Sequence, residues 1–339
     1  MTTIHTGNTV TTGFSVASDD TGDLVLKTGG SGGMTAATFS GATQQATFSA
    51  AISQPGAFGF RNRIINGNMS IDQRRAGAAQ TITAAAALAY TVDRWYAYCT
   101  GANVTGQQVS GSGSSQYRYQ FTGAASVTKI GFAQRIEAAN CYDLNGTTAT
   151  LSVDLANSLL TTVTWTAWYA NTADTFGTLA LPTRTQIATG TFTVNSTVTR
   201  YSTEITIPSA ATTGIEIEFS VGAQTSGTWT IGDAQLEPGS VATPFEARSV
   251  TTQLNFCERY YQIVPLNAFD VGITNYSTPF YMSTPMRATP TGTISGGSSV
   301  SVSSRLLEQV TNKGGRFTIL GTAADSYSVG ATGTFVAEL

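Results

Sequence analysis

Charge is scarce. Of 339 residues, 17 are Lys or Arg and 20 are Asp or Glu, 11% in all, against about 25% in an average globular protein. Solubility therefore rests on Thr, Ser, Asn, Gln and Gly, whose surface is neutral and hydrogen-bonding. The net charge of −3 comes with no basic tract, so binding of nucleic acid through phosphate neutralisation is excluded. Histidine occurs once, as His5, which removes Ser-His-Asp and Cys-His catalysis from consideration. Cysteine occurs three times, at Cys99, Cys141 and Cys257. That odd number matches neither a zinc site nor a disulfide framework. Free, partly buried thiols in a chain folded in reducing cytoplasm are expected, with one bridged pair left open. No run is long and apolar enough to insert into a membrane. Met1–Val10 carries neither the basic start nor the apolar stretch of a secretory signal.

What is present is ordinary hydrophobic content, 41%, arranged in short alternating runs. Residues 1–60 are rich in Gly, Thr, Ser and Ala. Phe14 and Val16 alternate with small residues, Asp19–Gly22 reads as a turn, and Leu24–Leu26 returns, which predicts a hairpin. "ATFS" occurs at Ala37–Ser40 and again at Ala46–Ser49. So few large apolar side chains cannot form a core alone, and a symmetric homo-oligomer is the simplest source of packing partners. "TGGSGG" (Thr28–Gly33) lacks the Lys-Ser/Thr and the helix of a phosphate loop and reads as a linker. Ser53–Phe60 is rich in turn residues.

From residue 61 to 248, strand-like segments such as "TATLSVDLA", "TVTWTAWYA" and "TGIEIEFSVG" alternate with Gly, Asn, Ser and Pro punctuation. Their number and spacing predict a β-sandwich or jelly roll. Ala84–Ala89 is read as a loop. At residues 249–264 the period changes. Val250, Leu254, Cys257 and Tyr261 form a helical stripe behind Ser249 as a candidate N-cap. A lone helix this short is unstable, so packing on a threefold axis is expected. Residues 265–339 return to strands and predict a small C-terminal β-domain. The fold class is thus mainly β: an N-terminal oligomerising β segment (1–60), a central sandwich (61–248), a short helical connector (249–264) and a C-terminal β tip (265–339).

Five stretches occur in a telling order: "NRIINGNMSIDQR" (Asn62–Arg74), "YTVDRWYAY" (Tyr90–Tyr98), "FAQRIEAANCYDLNG" (Phe132–Gly146), "GIEIEFSVG" (Gly214–Gly222) and "GDAQLEPGSVATPFEARS" (Gly232–Ser249). Together they resemble the carbohydrate-binding-module-like jelly roll of tailed-bacteriophage tail fibres and related virion appendage proteins. "CERYYQ", "FYMSTPMRATPTGTISG" (Phe280–Gly296) and the final "VAEL" are similar to the tip domain that often follows it. "SDDTGDLVLKTGG" resembles an N-terminal hairpin of phage fibres. The resemblance implies a homotrimer on the virion surface, assembled in the host cytoplasm, attached to other phage virion proteins through residues 1–60 and facing host cell-surface polysaccharide. It fixes no ligand. A head fibre or capsid decoration protein is the alternative position in the virion.

A sugar site needs aromatic faces for stacking and amide or carboxylate groups for hydroxyls. Trp165 and Trp168 are three apart on one predicted strand, so one faces the core and the other does not. Trp95 stands in the same relation to Tyr96 and Tyr98. In the tip, Tyr276, Phe280 and Tyr281 lie among Ser, Thr and Pro, and recognition concentrates on exposed distal loops. The candidate ligand-binding residues are Trp168, Tyr96, Tyr98, Tyr276, Phe280 and Tyr281, with the tip placed ahead of the jelly roll. The competing reading is that all are packing residues. Asp93–Arg94, Arg135–Glu137 and Asp233–Glu237 could be acid/base pairs, yet a glycosidase needs two carboxylates held about 5–9.5 Å apart, and each also reads as a turn or salt-bridge residue. No catalytic residue, cofactor or metal is assigned, though Asp72, Asp233 and Glu237 carry oxygen ligands of the kind calcium takes. A polysaccharide depolymerase is the less favoured function, because the regular rungs of a β-helix are absent.

Overall fold

A computed structural model describes strands within residues 14–48 by their backbone, and residues 60–339 apart from residue 86 and residues 112–114, 270–274 and 323–325. It divides the chain into two units, Met1–Phe58 and Gly59–Leu339. In the first unit β1 (Phe14–Ser18), β2 (Leu24–Thr28), β3 (Met34–Phe39) and β4 (Ala46–Phe48) pair antiparallel in sequence order. The two "ATF" copies lie opposite each other, Thr38 facing Thr47. The Asp19–Gly22 turn, the Gly29–Gly33 linker residues and nearly all of Ser53–Phe60 fall outside the described residues.

The second unit is mainly β. One six-stranded sheet has the order β13 (Arg184–Thr193), β12 (Thr162–Ala170), β15 (Ile215–Val221), β10 (Lys129–Ile136), β7 (Tyr96–Thr100) and β6 (Ala89–Tyr90). The facing sheet has the order β14 (Thr199–Thr206), β11 (Thr148–Asn157), β16 (Thr228–Pro238), β9 (Tyr117–Thr122), β8 (Val104–Ser110) and β5 (Gln80–Ile82). Period-two alternation sends Ile215, Ile217 and Phe219 of β15 and Leu151, Val153 and Leu155 of β11 into the core between the sheets. Trp95 stacks on Phe132 at 4.7 Å, Tyr119 on Phe132 at 5.1 Å, and Phe121 on Trp229 at 5.2 Å. Such aromatic pairs each add about 0.5–1.5 kcal/mol beyond area burial. In the stretch read as a loop, Ala84 forms an isolated bridge to Cys99 and Ala89 already belongs to β6.

Several of the motif residues that carried the resemblance hold the sandwich together. The Asn66 amide donates to the carbonyls of Ile71 and Asp93, its oxygen accepts from Ile71 N, and Trp95 Nε1 donates to Asn66 O at 3.0 Å. "NGN" and "DRW" are thereby tied into one buried knot. Gly67 lies so close to β16 that a Cβ there would sit 2.1 Å from Ala234 O. The segment after β16 folds back on it, with Glu246 N donating to Gln235 Oε1 and Thr243 N to Glu237. These two flaps explain why β16 is buried on both faces along nearly its whole length.

Two short helices interrupt the strands, α1 (Ala138–Cys141) and α2 (Val250–Glu258). Ser249 caps α2, accepting from Thr252 N at 3.3 Å. The predicted stripe is corrected. Val250 is exposed, Tyr261 already begins a strand, and the buried side is Gln253 and Cys257, continued by Tyr260. Packing against its own chain stabilises this helix, so the stripe no longer calls for a threefold axis. Cys99, Cys141 and Cys257 are all free and buried, and burial pushes the Cys141 thiol up to about 12.

Beyond α2, two three-stranded sheets form a second small sandwich. Their orders are β17 (Tyr261–Phe269), β22 (Tyr327–Val336), β19 (Thr291–Val300), and β18 (Asn275–Tyr281), β21 (Gly314–Gly321), β20 (Val302–Thr311). Leu266, Phe280, Met286, Phe317, Ile319 and Phe335 fill its core. The chain end then returns to the larger sandwich. Glu338 pairs with Arg74 at 2.9 Å and with Arg94. Leu339 O accepts from Tyr90 Oη at 3.1 Å and from Arg135 Nη1 at 2.7 Å. Arg94 itself is buried, with its guanidinium carbon 3.4 Å from the Tyr260 ring centroid.

Candidate functional site

The outer face of the β15 sheet, opposite the core, collects side chains that the linear sequence keeps far apart. Strand register places Tyr98 opposite Gly131, Gly131 opposite Ser220, Glu218 opposite Thr166, and Glu216 opposite Trp168. Tyr98 reaches Glu218 because Gly131 has no side chain. A Cβ there would lie 2.2 Å from the Tyr98 ring. Tyr98 Oη donates to Glu218 at 2.6 Å, and Lys129 Nζ donates to it at 3.0 Å. Arg184 approaches Glu218 at 3.4 Å, pairs with Glu216, and lies 4.6 Å over the Trp168 ring. Arg135 donates to Glu216 at 2.8 Å. The result is a continuous chain of contacts, Tyr98 to Glu218 to Arg184 to Trp168, with an aromatic side chain at each end.

Electrostatics follow from this burial. Glu216 and Glu218 are buried although they sit on the outer face. They keep their place because guanidinium groups and a lysine offset the cost of desolvating them. Burial first, then the adjacent Glu218 charge, pushes the Tyr98 hydroxyl well above its ordinary value, so at neutral pH it is a donor. One end of the face is closed, since Arg135 Nη2 donates to Gly177 O, its guanidinium stands against Phe176, and Leu339 lies on it. The rest of the face is more open: Tyr98 and Lys129 toward one end, and Trp168 and Arg184 toward the β13 edge, are half-buried and Gln186 is exposed. This open part combines aromatic rings, amide, ammonium and guanidinium donors, and a carboxylate acceptor.

Each sequence candidate has a place. Trp165 is core and Trp168 lies on the opposite, outer face. Tyr96, the first residue of β7, is on that face too but is fully buried; burial takes it away from a ligand. Phe280 is mostly enclosed, stacking on Phe335 at 4.9 Å in the core of the smaller sandwich. Tyr276 packs against the same core, whereas Tyr281 is 76% exposed. Phe280 and Tyr281 nonetheless line one small cavity of about 250 Å³ together. Sequence reasoning missed Glu218, Arg184 and Gly131. The alternation "IEIEF" marked the glutamates as pointing away from the core, but nothing local marked them as buried.

The three acid/base pairs are engaged structurally. Asp93 accepts from Gln73 N at 2.7 Å, Glu137 pairs with Arg259 at 2.9 Å, and Asp233 and Glu237 are held by Ser115 and Thr243. Asp72 accepts from Arg75 N and Gly77 N in a turn. Among the described residues there is no cluster of three or more His, Cys, Asp or Glu able to hold a metal ion. Likewise, among them no helix is long and apolar enough to cross a membrane.

No family model matches the chain, and no curated protein does. Solved structures show distant similarity to carbohydrate-binding modules and to a phage tailspike domain. A family 61 module in complex with β-1,4-galactotriose is 13% identical with a TM-score of 0.30, over 43% of this chain and 88% of that one. A family 11 module of a Clostridium thermocellum cellulase is 13% identical with a TM-score of 0.30, over 49% of this chain and 98% of that one. The enzymatically active domain of bacteriophage CBA120 tailspike protein 4 is 17% identical with a TM-score of 0.33, over 53% of this chain and 22% of that one.

Proposed function

We propose that this chain is a non-enzymatic virion-surface protein of a tailed bacteriophage, a fibre or spike that recognises glycan on the host cell. The observation that carries the reading is the open part of the outer sheet face, where Tyr98 and Trp168 are linked through Glu218 and Arg184. Half-buried aromatic rings beside polar groups held in ion pairs suit neutral sugar rings. Supporting it are the motif resemblance and the charge-poor surface composition. Residues 1–60 attach the protein to other virion proteins, and a homotrimer presents three faces at once, so weak single-site binding gains avidity. The carboxylates of the site are tied in ion pairs, which supports recognition rather than hydrolysis.

Substituting Trp168 by Ala in the assembled protein, beside Tyr276→Ala with Tyr281→Ala in the tip, tests the reading. Adsorption to host cells falls for Trp168→Ala and holds for the tip pair. Loss confined to the tip pair places recognition in the C-terminal domain instead, and new reducing ends released from host polysaccharide would make the protein an enzyme.

A further inference from the structure

A cavity lies away from the sheet face, where the start of the larger sandwich, helix α2 and the loop before β19 meet. Its volume is about 530 Å³, in the range of small-ligand sites, which run to about 300–1,000 Å³. Phe60 and Phe256 meet edge-on in its wall with ring centroids 5.9 Å apart. Three arginines, Arg63, Arg248 and Arg259, line it, and no Asp or Glu does. The acidic partners, Asp143, Glu246 and Glu137, hold those guanidinium groups from outside the lining.

The arginines are held but not saturated. The Arg248 side chain is 8% exposed. Its Nη2 donates to Asn62 O and to Glu246, and its guanidinium carbon stands 5.4 Å from the Phe256 ring centroid. Its Nε is buried and has no hydrogen-bond partner, and the same holds for Arg63 Nε. A buried donor without an acceptor is costly, so the acidic partners do not fully compensate these guanidinium groups. Nearby, Asn140 and Asn255 are exposed at the wall, with amides suited to hydroxyl groups.

From this we infer that the cavity is a binding site for a small carboxylated sugar of the uronic-acid type. The guanidinium plane matches a planar carboxylate through paired N–H donors. The Phe256 ring and Pro285 offer an apolar wall to the ring carbons, and Asn140 and Asn255 meet the hydroxyls. The sugar part of this assignment rests on the glycan reading above, whereas the carboxylate part rests on the arginines alone.

The test is calorimetric titration of the full-length protein with glucuronate, glucose, acetate and inorganic phosphate. Glucuronate is expected to bind saturably at one site per chain, at least tenfold tighter than any of the other three. Asn255→Asp introduces a negative charge at an exposed wall position and should weaken glucuronate at least tenfold without shifting the unliganded melting temperature. A parallel Arg248→Lys variant, losing the planar fork but keeping the charge, should also weaken it. Acetate or phosphate binding as tightly as glucuronate means an adventitious ion only and overturns the proposal. So does glucose binding equally, or Asn255→Asp without effect. Neutral-glycan binding is scored separately on the Trp168 variant, so a failure of the sheet-face reading is distinguishable from a failure here.

Discussion

Replacing Glu338 by Ala should destabilise this protein more than its position, one residue from the chain end, suggests. The Glu338 side chain is 4% exposed and its partners Arg94 and Arg74 are 1% and 13% exposed. Arg94 cannot turn to water. Its Nη2 is committed to Arg135 O at 2.6 Å and its plane lies against Tyr260. Removing the carboxylate leaves a buried cation without its anion, and breaking a buried pair from one side costs about 3–5 kcal/mol. In a unit of this size each kcal/mol lowers the melting temperature by about 2–4 °C, so the drop should be roughly 6–20 °C. Differential scanning calorimetry reads it directly. Glu338→Gln keeps the shape and a hydrogen-bonding oxygen and should lose less. Because Glu338 joins the smaller sandwich to the larger one, the Ala variant should also separate one transition into two, the tip melting first. A Glu338→Ala melting temperature within about 1 °C of the parent would show that the Arg94 charge is satisfied some other way, and the reasoning would fail.

Gly131→Ala should displace the Tyr98 ring, cost about 1–3 kcal/mol by overpacking, and reduce glycan binding; unchanged denaturation and binding would remove Gly131 from the site. The Asp93 carboxyl is raised to about 6 by burial, against the lowering effect of its Gln73 hydrogen bonds. The folded state therefore holds a proton that the unfolded state has released, so this group's contribution is complete below its ordinary value near 3.8 and is lost as pH rises through about 6. That loss amounts to about 2–3 kcal/mol, and an NMR titration of the Asp93 carboxyl carbon with a midpoint at or below 4 would contradict it. Removing residues 1–60 should leave the sandwich and tip folded, with the melting transition retained, while incorporation into particles is lost. Light scattering of the full chain should report a trimer at micromolar concentration, and a monomer would refute the oligomeric assignment.

Some of this was legible along the chain. Strand and turn periodicity defined a mainly β protein with a helix after Ser249, because alternation and capping are local properties. The same alternation separated Trp165 from Trp168 and Tyr98 from Trp95. Burial was not legible, since it depends on what a distant segment lays over a strand. Tyr96 and Phe280 read like Tyr98 and Tyr281 in sequence, yet the first pair is enclosed and the second reaches solvent. The helical stripe was misread for the same reason, as Cys257 and Gln253 face the chain's own sandwiches and Val250 faces water. Most of all, "VAEL" gave no sign of its role. Only tertiary structure brings Glu338 to Arg94 across 244 residues, where two low-dielectric surfaces meet and the buried carboxylate is held by Arg94 and Arg74.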